Sequence, residues 1–441
     1  MGPFLAWIEY IIFEGFCKQF STTKSRYFIF FNECIFVTLI PMKILSIETS
    51  CDETALALIE VDESHPDQPR FSVLATSLFS QIDIHKEYGG VFPALAKRAH
   101  SENIIPLLDS LLSDYFTQPE SSEVPKKCPT ISLTKEGAIN KILERDLPLA
   151  EKLITFLEKN PVPDINNIAV TSGPGLEPAL WVGITVARAI GVAWNIPVIP
   201  VNHMEGHLTS ILLNSDNITS SPVFPALALL LSGGHTEMVL IKSWGDYTIV
   251  GATLDDAVGE AYDKVARMLG LEYPGGPKIA ERAAMVREKN PQEIYGLPRP
   301  MLHSKNYSFS LSGLKTAVLY KTQELQKEHG EELSDEIINQ IAYEFEEAVV
   351  EVILKKTRRA LEEFGAQSLT VGGGVIANQY IRERLTELSR ESGIEILLPT
   401  KDLSTDNAVM IAIAGYFAAQ RSPERANIEI LARGNWKVDQ V

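Results

Sequence analysis

His203 and His207 stand four residues apart in the run His203-Met204-Glu205-Gly206-His207. On a helix that spacing puts both imidazoles on one face, where they can grip one metal ion, although surface or capping histidines show the same spacing. Gly206 favours a tight site, because a helix-interior glycine costs about 1 kcal/mol relative to alanine and usually marks a close approach. Glu205 lies two positions after the first histidine, roughly 200° around the helix, and so points away from an ion held by both rings. The run is therefore unlike HExxH, which argues against a zinc-peptidase base at Glu205. A third ligand should be a carboxylate. Asp406, in Leu403-Ser404-Thr405-Asp406-Asn407, is the candidate, and its other reading is an N-cap for the apolar helix that follows. Two nitrogen ligands and one oxygen suit iron or zinc and do not separate them.

The elements that must position these groups come in two kinds of unit, each present twice. One is strand, polar turn, strand: 44–49, the turn Ser50-Cys51-Asp52-Glu53-Thr54 and 55–61, then 227–231, the turn Ser232-Gly233-Gly234-His235-Thr236 and 237–241. The other is strand, Gly-rich loop, helix: 168–171, Gly173-Pro174-Gly175 and a helix over 183–194, then 368–371, Gly372-Gly373-Gly374 and a helix over 376–392. Such loops offer backbone N–H groups and helix N-termini to anions, so the duplication predicts two lobes with a nucleotide or phosphate between them. The histidine pair begins a helix reaching residue 213, directly after a strand over 198–201. Amphipathic helices are expected over 95–115 and 146–159, with a linker over 118–127, so that 118–160 reads as a helical insertion. A long helix over 334–364 should stop at Gly365, and 406–420 is a helix buried on nearly every side. The acidic stretch 255–264 carries either ribose-binding carboxylates or a solvated face. In Tyr273-Pro274-Gly275-Gly276-Pro277 the glycines would let a flat ring approach the backbone.

At 441 residues the chain exceeds one ordinary core, and two domains are expected. The net charge of −17 argues against a general nucleic-acid coat, while leaving room for a local basic groove or a partner that supplies one. Cys17, Cys34, Cys51 and Cys128 form no CxxC pair, which suits a reducing cytosol. From Met42 onward nothing approaches eighteen uncharged apolar residues, so no membrane span is expected. Residues 1–42 differ: Asn32 and Glu33 interrupt the apolar run over 27–40, which makes a poor signal peptide and a broken span. Translation is expected to begin at Met42, with a peripheral anchor as the alternative. A Walker motif and a nucleophile elbow are both absent.

Taken together, several runs resemble one family: Ile47-Glu48-Thr49-Ser50-Cys51-Asp52-Glu53-Thr54, VNHMEGH at 201–207, LSGGHTE at 231–237, GEAYDK at 259–264, YPGGP at 273–277, GGGVIAN at 372–378 and STDNA at 404–408. The chain is similar to the TsaD family of tRNA N6-adenosine threonylcarbamoyltransferases, once called O-sialoglycoprotein endopeptidases. The resemblance covers about 43–425, apart from 118–160. It implies an α/β, two-lobed fold of the actin, sugar-kinase and Hsp70 (ASKHA) type with duplicated RNase H-like lobes, over 43–222 and 223–425, followed by a tail over 426–441. It implies transfer of the threonylcarbamoyl group from threonylcarbamoyl-AMP to N6 of adenosine 37 in tRNAs reading ANN codons. The same resemblance makes His203, His207 and Asp406 the metal ligands, with iron (Fe2+) the usual ion and Zn2+ the alternative. Leu231, Ser232, Gly233, Gly234, His235, Asp263, Gly276 and Asn378 would bind the adenylate, and Asp52 would act in catalysis. Asn202 stands where many bacterial members have His, and Ala94, Lys97 and Leu311 also depart from the usual pattern. A TsaB-like partner subunit and a TsaE-like ATPase are the implied partners, in the cytoplasm. A small-molecule kinase on the same fold and a non-catalytic partner subunit are the rival readings, and the three metal-type residues together argue against both.

Overall fold

The computed structural model describes residues 26–31, 34–39, 41–64, 69–117, 131–213, 221–289, 291–330, 332–421 and 429–441. Arg26–Phe31 (β1) and Cys34–Leu39 (β2) pair antiparallel with each other. The apolar runs near residues 44 and 227 then each become the central strand of a five-stranded sheet. The first sheet comprises Met42–Glu48 (β3), Glu53–Asp62 (β4), Arg70–Ser80 (β5), Asn167–Gly173 (β6) and Val198–Asn202 (β7), in the order β5-β4-β3-β6-β7. The second comprises Ala226–Leu231 (β8), Thr236–Ser243 (β9), Asp246–Ala252 (β10), Ser368–Gly372 (β11) and Glu395–Leu397 (β12), in the order β10-β9-β8-β11-β12. In both sheets the first three strands in sequence are antiparallel neighbours, and the last two add parallel on the other side. The duplicated layout expected from the paired units, which the resemblance identifies with the ASKHA fold, is therefore present, strand for strand.

Among the described residues the helices of seven residues or more are Pro93–Thr117 (α1), Leu133–Ile142 (α2), Leu147–Lys159 (α3), Glu177–Trp194 (α4), His203–Thr209 (α5), Val258–Met268 (α6), Gly275–Arg287 (α7), Ser312–His329 (α8), Asp335–Phe364 (α9), Gln379–Ser392 (α10) and Ala408–Arg421 (α11). Side chains alternate across a strand, so β3 serves two layers. Leu45 and Ile47 face a core shared with α1, α2, α3 and α4, while Ile44 faces one shared with α11. Strands covered on both faces read as near-continuous apolar runs, which is how β3, β6 and β8 appear in the sequence. On the second sheet Leu227, Leu229 and Leu231 face α6, α8, α9 and α10. Its other face, with Ala226, Ala228 and Leu230, meets Met204 and Leu208 of α5 and Val438 of the C-terminal segment. Helix α11 follows the second sheet in sequence yet packs on the first, and α5 lies between α11 and the second sheet.

Several boundaries depart from expectation for identifiable reasons. Helix α4 starts at Glu177 instead of 183, because Pro178 is tolerated in a first turn and Gly183 lies inside the helix, where a Cβ would fall 2.5 Å from Thr49 Oγ1. After Gly373 the chain makes a 3-10 turn, Gly374–Ala377, before Asn378 caps α10. Helix α3 fits the one expected over 146–159, with Asp146 as its cap, whereas α2 was not anticipated. The linker expected over 118–127 lies outside the described residues. The histidine helix ends at Thr209 and continues as a 3-10 turn, Ser210–Leu212. Among the described residues no helix is long and apolar enough to cross a membrane.

Candidate metal centre and cleft

Strand β7 delivers the chain to Asn202, whose side-chain oxygen accepts the N–H groups of Met204 (2.9 Å) and Glu205 (3.2 Å) and so starts α5. Gly206 gives α11 its approach, since a Cβ there would lie 3.0 Å from Ile411 Cδ1 and 3.1 Å from Met410 Cγ. Asp406 arrives just ahead of α11. It is not that helix's cap: Asn407 takes the role by accepting the N–H of Met410 (3.0 Å), which leaves Asp406 to face the histidines. Asp406 Oδ1 is 3.5 Å from His203 Nε2 and 3.1 Å from His207 Nε2. Bonds of about 2.1 Å to one ion place neighbouring ligand atoms roughly 3.0–3.4 Å apart, so the spacing fits a shared divalent ion. Both ring nitrogens of His207 are buried without a hydrogen bond, which leaves Nε2, the one beside Asp406, available to an ion. Burial opposes ionisation of Asp406, but the two histidines hold its carboxyl well below the usual range.

Glu205 turns away, as its place on the helix requires. Its carboxylate is buried, accepting from Arg421 Nη1 (2.7 Å) and Nη2 (2.9 Å) and from the Tyr247 hydroxyl (2.9 Å). It thus ties α5 to α11 and β10 and is not a base. His235 stands near enough to both α5 histidines that burial, and then their field, push its pKa down to about 4. In its turn, Ser232 N–H donates to His235 O (2.9 Å) and His235 N–H donates to Ser232 Oγ (3.0 Å). The N–H groups of Gly233 and Gly234 find no partner among the described residues, and both glycines face open space. Gly276 does likewise. The other glycine loops are filled by protein: a Cβ on Gly173 would fall 2.0 Å from Arg433 O, and one on Gly372 would fall 2.6 Å from His207 O. Four equivalent anion loops were expected, and two of them are packing contacts.

A model of the TsaD family, tRNA N6-adenosine threonylcarbamoyltransferase, matches residues 72–123 and 138–413. The tRNA N6-adenosine threonylcarbamoyltransferase of Ralstonia pickettii (strain 12J) is 41% identical over 382 residues, covering 87% of this chain and 93% of that protein. Its counterpart from Herminiimonas arsenicoxydans is 39% identical over 402 residues, covering 91% and 99% respectively. The chain belongs to this transferase family.

Against that family's motifs, the remaining candidates divide. Leu231 ends β8 at the mouth of the open turn. Asp52 sits in the turn after β3, and its charge is among those that raise the pKa values of Asp263 and Tyr273 in the second half of the chain. Asp263 accepts the N–H of Gly275 (2.7 Å) and thereby caps α7. Burial raises its pKa, and the N–H groups of Gly275 and Gly276 only partly offset this. Asn378 is engaged with protein at both ends of its amide: its oxygen accepts Ile381 N–H (3.2 Å) and its nitrogen donates to Glu346 Oε1 (2.7 Å). Sequence reasoning missed Glu48. Fully buried, it accepts from Ser50 N–H and from Thr171 Oγ1 (2.6 Å), and its Oε2 lies 3.0 Å from His203 Nδ1. Burial would raise its pKa, but His203 reverses the shift and lowers it. A carboxylate closing an otherwise apolar buried strand was the available signal.

Proposed function

We propose that this chain transfers the threonylcarbamoyl group of threonylcarbamoyl-AMP to N6 of adenosine 37 in tRNAs reading ANN codons. His203, His207 and Asp406 are the ligands of one divalent ion in this reading, iron ahead of zinc. The observation that carries it is the convergence of these three side chains, from two elements about 200 positions apart, beside a turn with unpartnered N–H groups. A bound ion supplies Lewis-acid stabilisation of charge on the carbamoyl and phosphate oxygens. The chain's own residues do the rest. The N–H groups of Gly233 and Gly234 are free to receive developing negative charge, and His235, held neutral, adds no competing positive charge. Open space at Gly276 accepts the flat adenine, with Asp263 beside the ribose and the loop before Asn378 closing the pocket. The N6 amine forms its bond to the carbamoyl carbon as the carbamoyl C–O bond to the AMP phosphate breaks, and the N6 proton passes to the departing phosphate. Asp52, whose charge reaches Asp263, acts at that exchange in this reading.

The lobes in this reading are 43–222 and 223–425, with α11 returning to the first. A chain of charge −17 needs outside help to hold tRNA, which supports a TsaB-like subunit and a TsaE-like ATPase as cytoplasmic partners. The test supplies threonylcarbamoyl-AMP and unmodified tRNA, with those partners, and follows threonylcarbamoyladenosine by mass spectrometry of the nucleosides. The native chain should form it, and folded His203→Ala should not. Native-rate product from His203→Ala would remove the ion from the mechanism, and no product from the native chain would remove the activity.

A further inference from the structure

The last residues return to the middle of the molecule. Ile430 is buried in the core of the first sheet with α1 and α4. The chain then runs over the Gly173-Pro174-Gly175 loop: Arg433 N–H donates to Ser172 O (2.7 Å), and Gly175 N–H donates to Gly434 O (3.1 Å). Gly173 has no room for a side chain because Arg433 O occupies that place. Further on, Trp436 O accepts from Asn202 Nδ2 (3.1 Å). Val438, fully buried, packs with Met204 and Leu208 of α5 and with strands β8, β9 and β10.

Asn202 is where these contacts meet the site. Its oxygen caps the first turn of the helix that carries His203, and its nitrogen is tethered to the C-terminal segment. An amide can cap with only one of its ends, and the bond to Trp436 O decides which end faces α5. Met204 and Leu208 each follow one of the histidines by a single residue, about 100° around α5 from the face that would hold the ion, and there Val438 presses on the flank of the helix. Both contacts bear on the position of the ligand-bearing turn, and neither touches the cleft.

We infer that Ile430 to Val441 is a positioning strap that fixes α5 for metal binding, with Asn202 and Val438 as its positioning residues. The inference rests on reading His203, His207 and Asp406 as the metal site. A strap of this kind pre-sets the ligands before the ion arrives, so its loss weakens affinity even where the fold survives. The test uses the full chain with Co2+ as the sole ligand, its affinity read by chelator competition and its coordination by visible absorption. Thermal unfolding of the metal-free protein is measured in parallel. Asn202→Ser retains a capping oxygen and loses the donor to Trp436 O, and Val438→Ala removes the packing on the flank of α5. Each folded variant should bind Co2+ about 5- to 10-fold more weakly than the native chain, and a chain ending at residue 428 on the order of 100-fold more weakly. Adding a synthetic 429–441 peptide should restore affinity to the shortened chain. Native Co2+ affinity and spectrum in both point variants, with only the unfolding temperature lowered, would overturn the strap. If the shortened chain does not fold, the two point variants decide alone. Unchanged Co2+ binding in His203→Ala would instead remove the metal reading beneath it.

Discussion

Glutamine at position 48 tests the metal centre through a residue that cannot touch the ion. Glu48 is ionised and buried, so His203 donates from Nδ1 to Oε2, and Nε2, which carries a proton toward Asp406 in the metal-free protein, is the nitrogen left for an ion once that proton is released. In Glu48→Gln the amide has two orientations. With its nitrogen toward His203, it donates to Nδ1 and drives the ring proton to Nε2, where it blocks the ion. With its nitrogen toward Ser50, it meets a backbone donor. Either way a charge-assisted hydrogen bond of about 1.5–3 kcal/mol is lost, which corresponds to roughly 10- to 150-fold in affinity. Removing a carboxylate behind a ligating histidine typically costs about 10- to 100-fold, so two independent routes agree. Chelator competition with Zn2+ or Co2+ should therefore show Glu48→Gln binding about 10- to 100-fold more weakly, while the variant stays folded. Thr171→Val, which removes only one donor to Glu48, should lose less. Native affinity in Glu48→Gln, or an unchanged His203 tautomer by nitrogen NMR, would refute the reasoning.

Other expectations follow from the same contacts. Arg421→Ala leaves the buried Glu205 carboxylate with only the Tyr247 hydroxyl, and denaturant unfolding should show a loss of about 3 kcal/mol, part of which Glu205→Gln in the same chain restores. His100 is buried against Thr54, Gln81 and Cys51 O, and burial pushes its pKa down to about 4. Between pH 6.5 and 4 the unfolded chain therefore binds the extra proton, so this group lowers stability by about 3 kcal/mol as pH drops through that window. His100→Gln should flatten that part of the pH–stability curve, and an unchanged slope would assign it elsewhere. Gly372→Ala drives a Cβ into His207 O and must shift α5, so Co2+ affinity should drop about 10-fold, as for other losses of ligand support. An unmoved affinity there would show that α5 tolerates displacement.

Where local chemistry decides the outcome, the sequence could be read directly. Helix α9 begins one residue after the Ser334 cap and ends at Gly365, whose φ of +61° favours glycine. The two strand-turn-strand units appeared as apolar runs around polar turns, and the first strand of each became the centre of a sheet. The histidine pair and the outward direction of Glu205 followed from helical spacing alone. Glycines misled, because a glycine is needed equally where a ligand approaches and where another backbone does. Only the fold distinguishes Gly233 and Gly234, which face open space, from Gly173 and Gly372, which face Arg433 O and His207 O.

The sequence by itself determined most of the elements, the duplication and the candidacy of His203 and His207, which are read within a few positions, while Asp406 joined them through the family resemblance. Tertiary structure decided what those ligands can do. Asp406 joins His203 and His207 because α11 crosses back to the first sheet and Asn407 relieves it of capping. Glu48 orients His203 because β3 and β7 end side by side across β6. The C-terminal segment reaches Asn202 through backbone carbonyls, which carry no residue signature. Contacts of that kind depend on the packing of distant elements, and no local pattern records them.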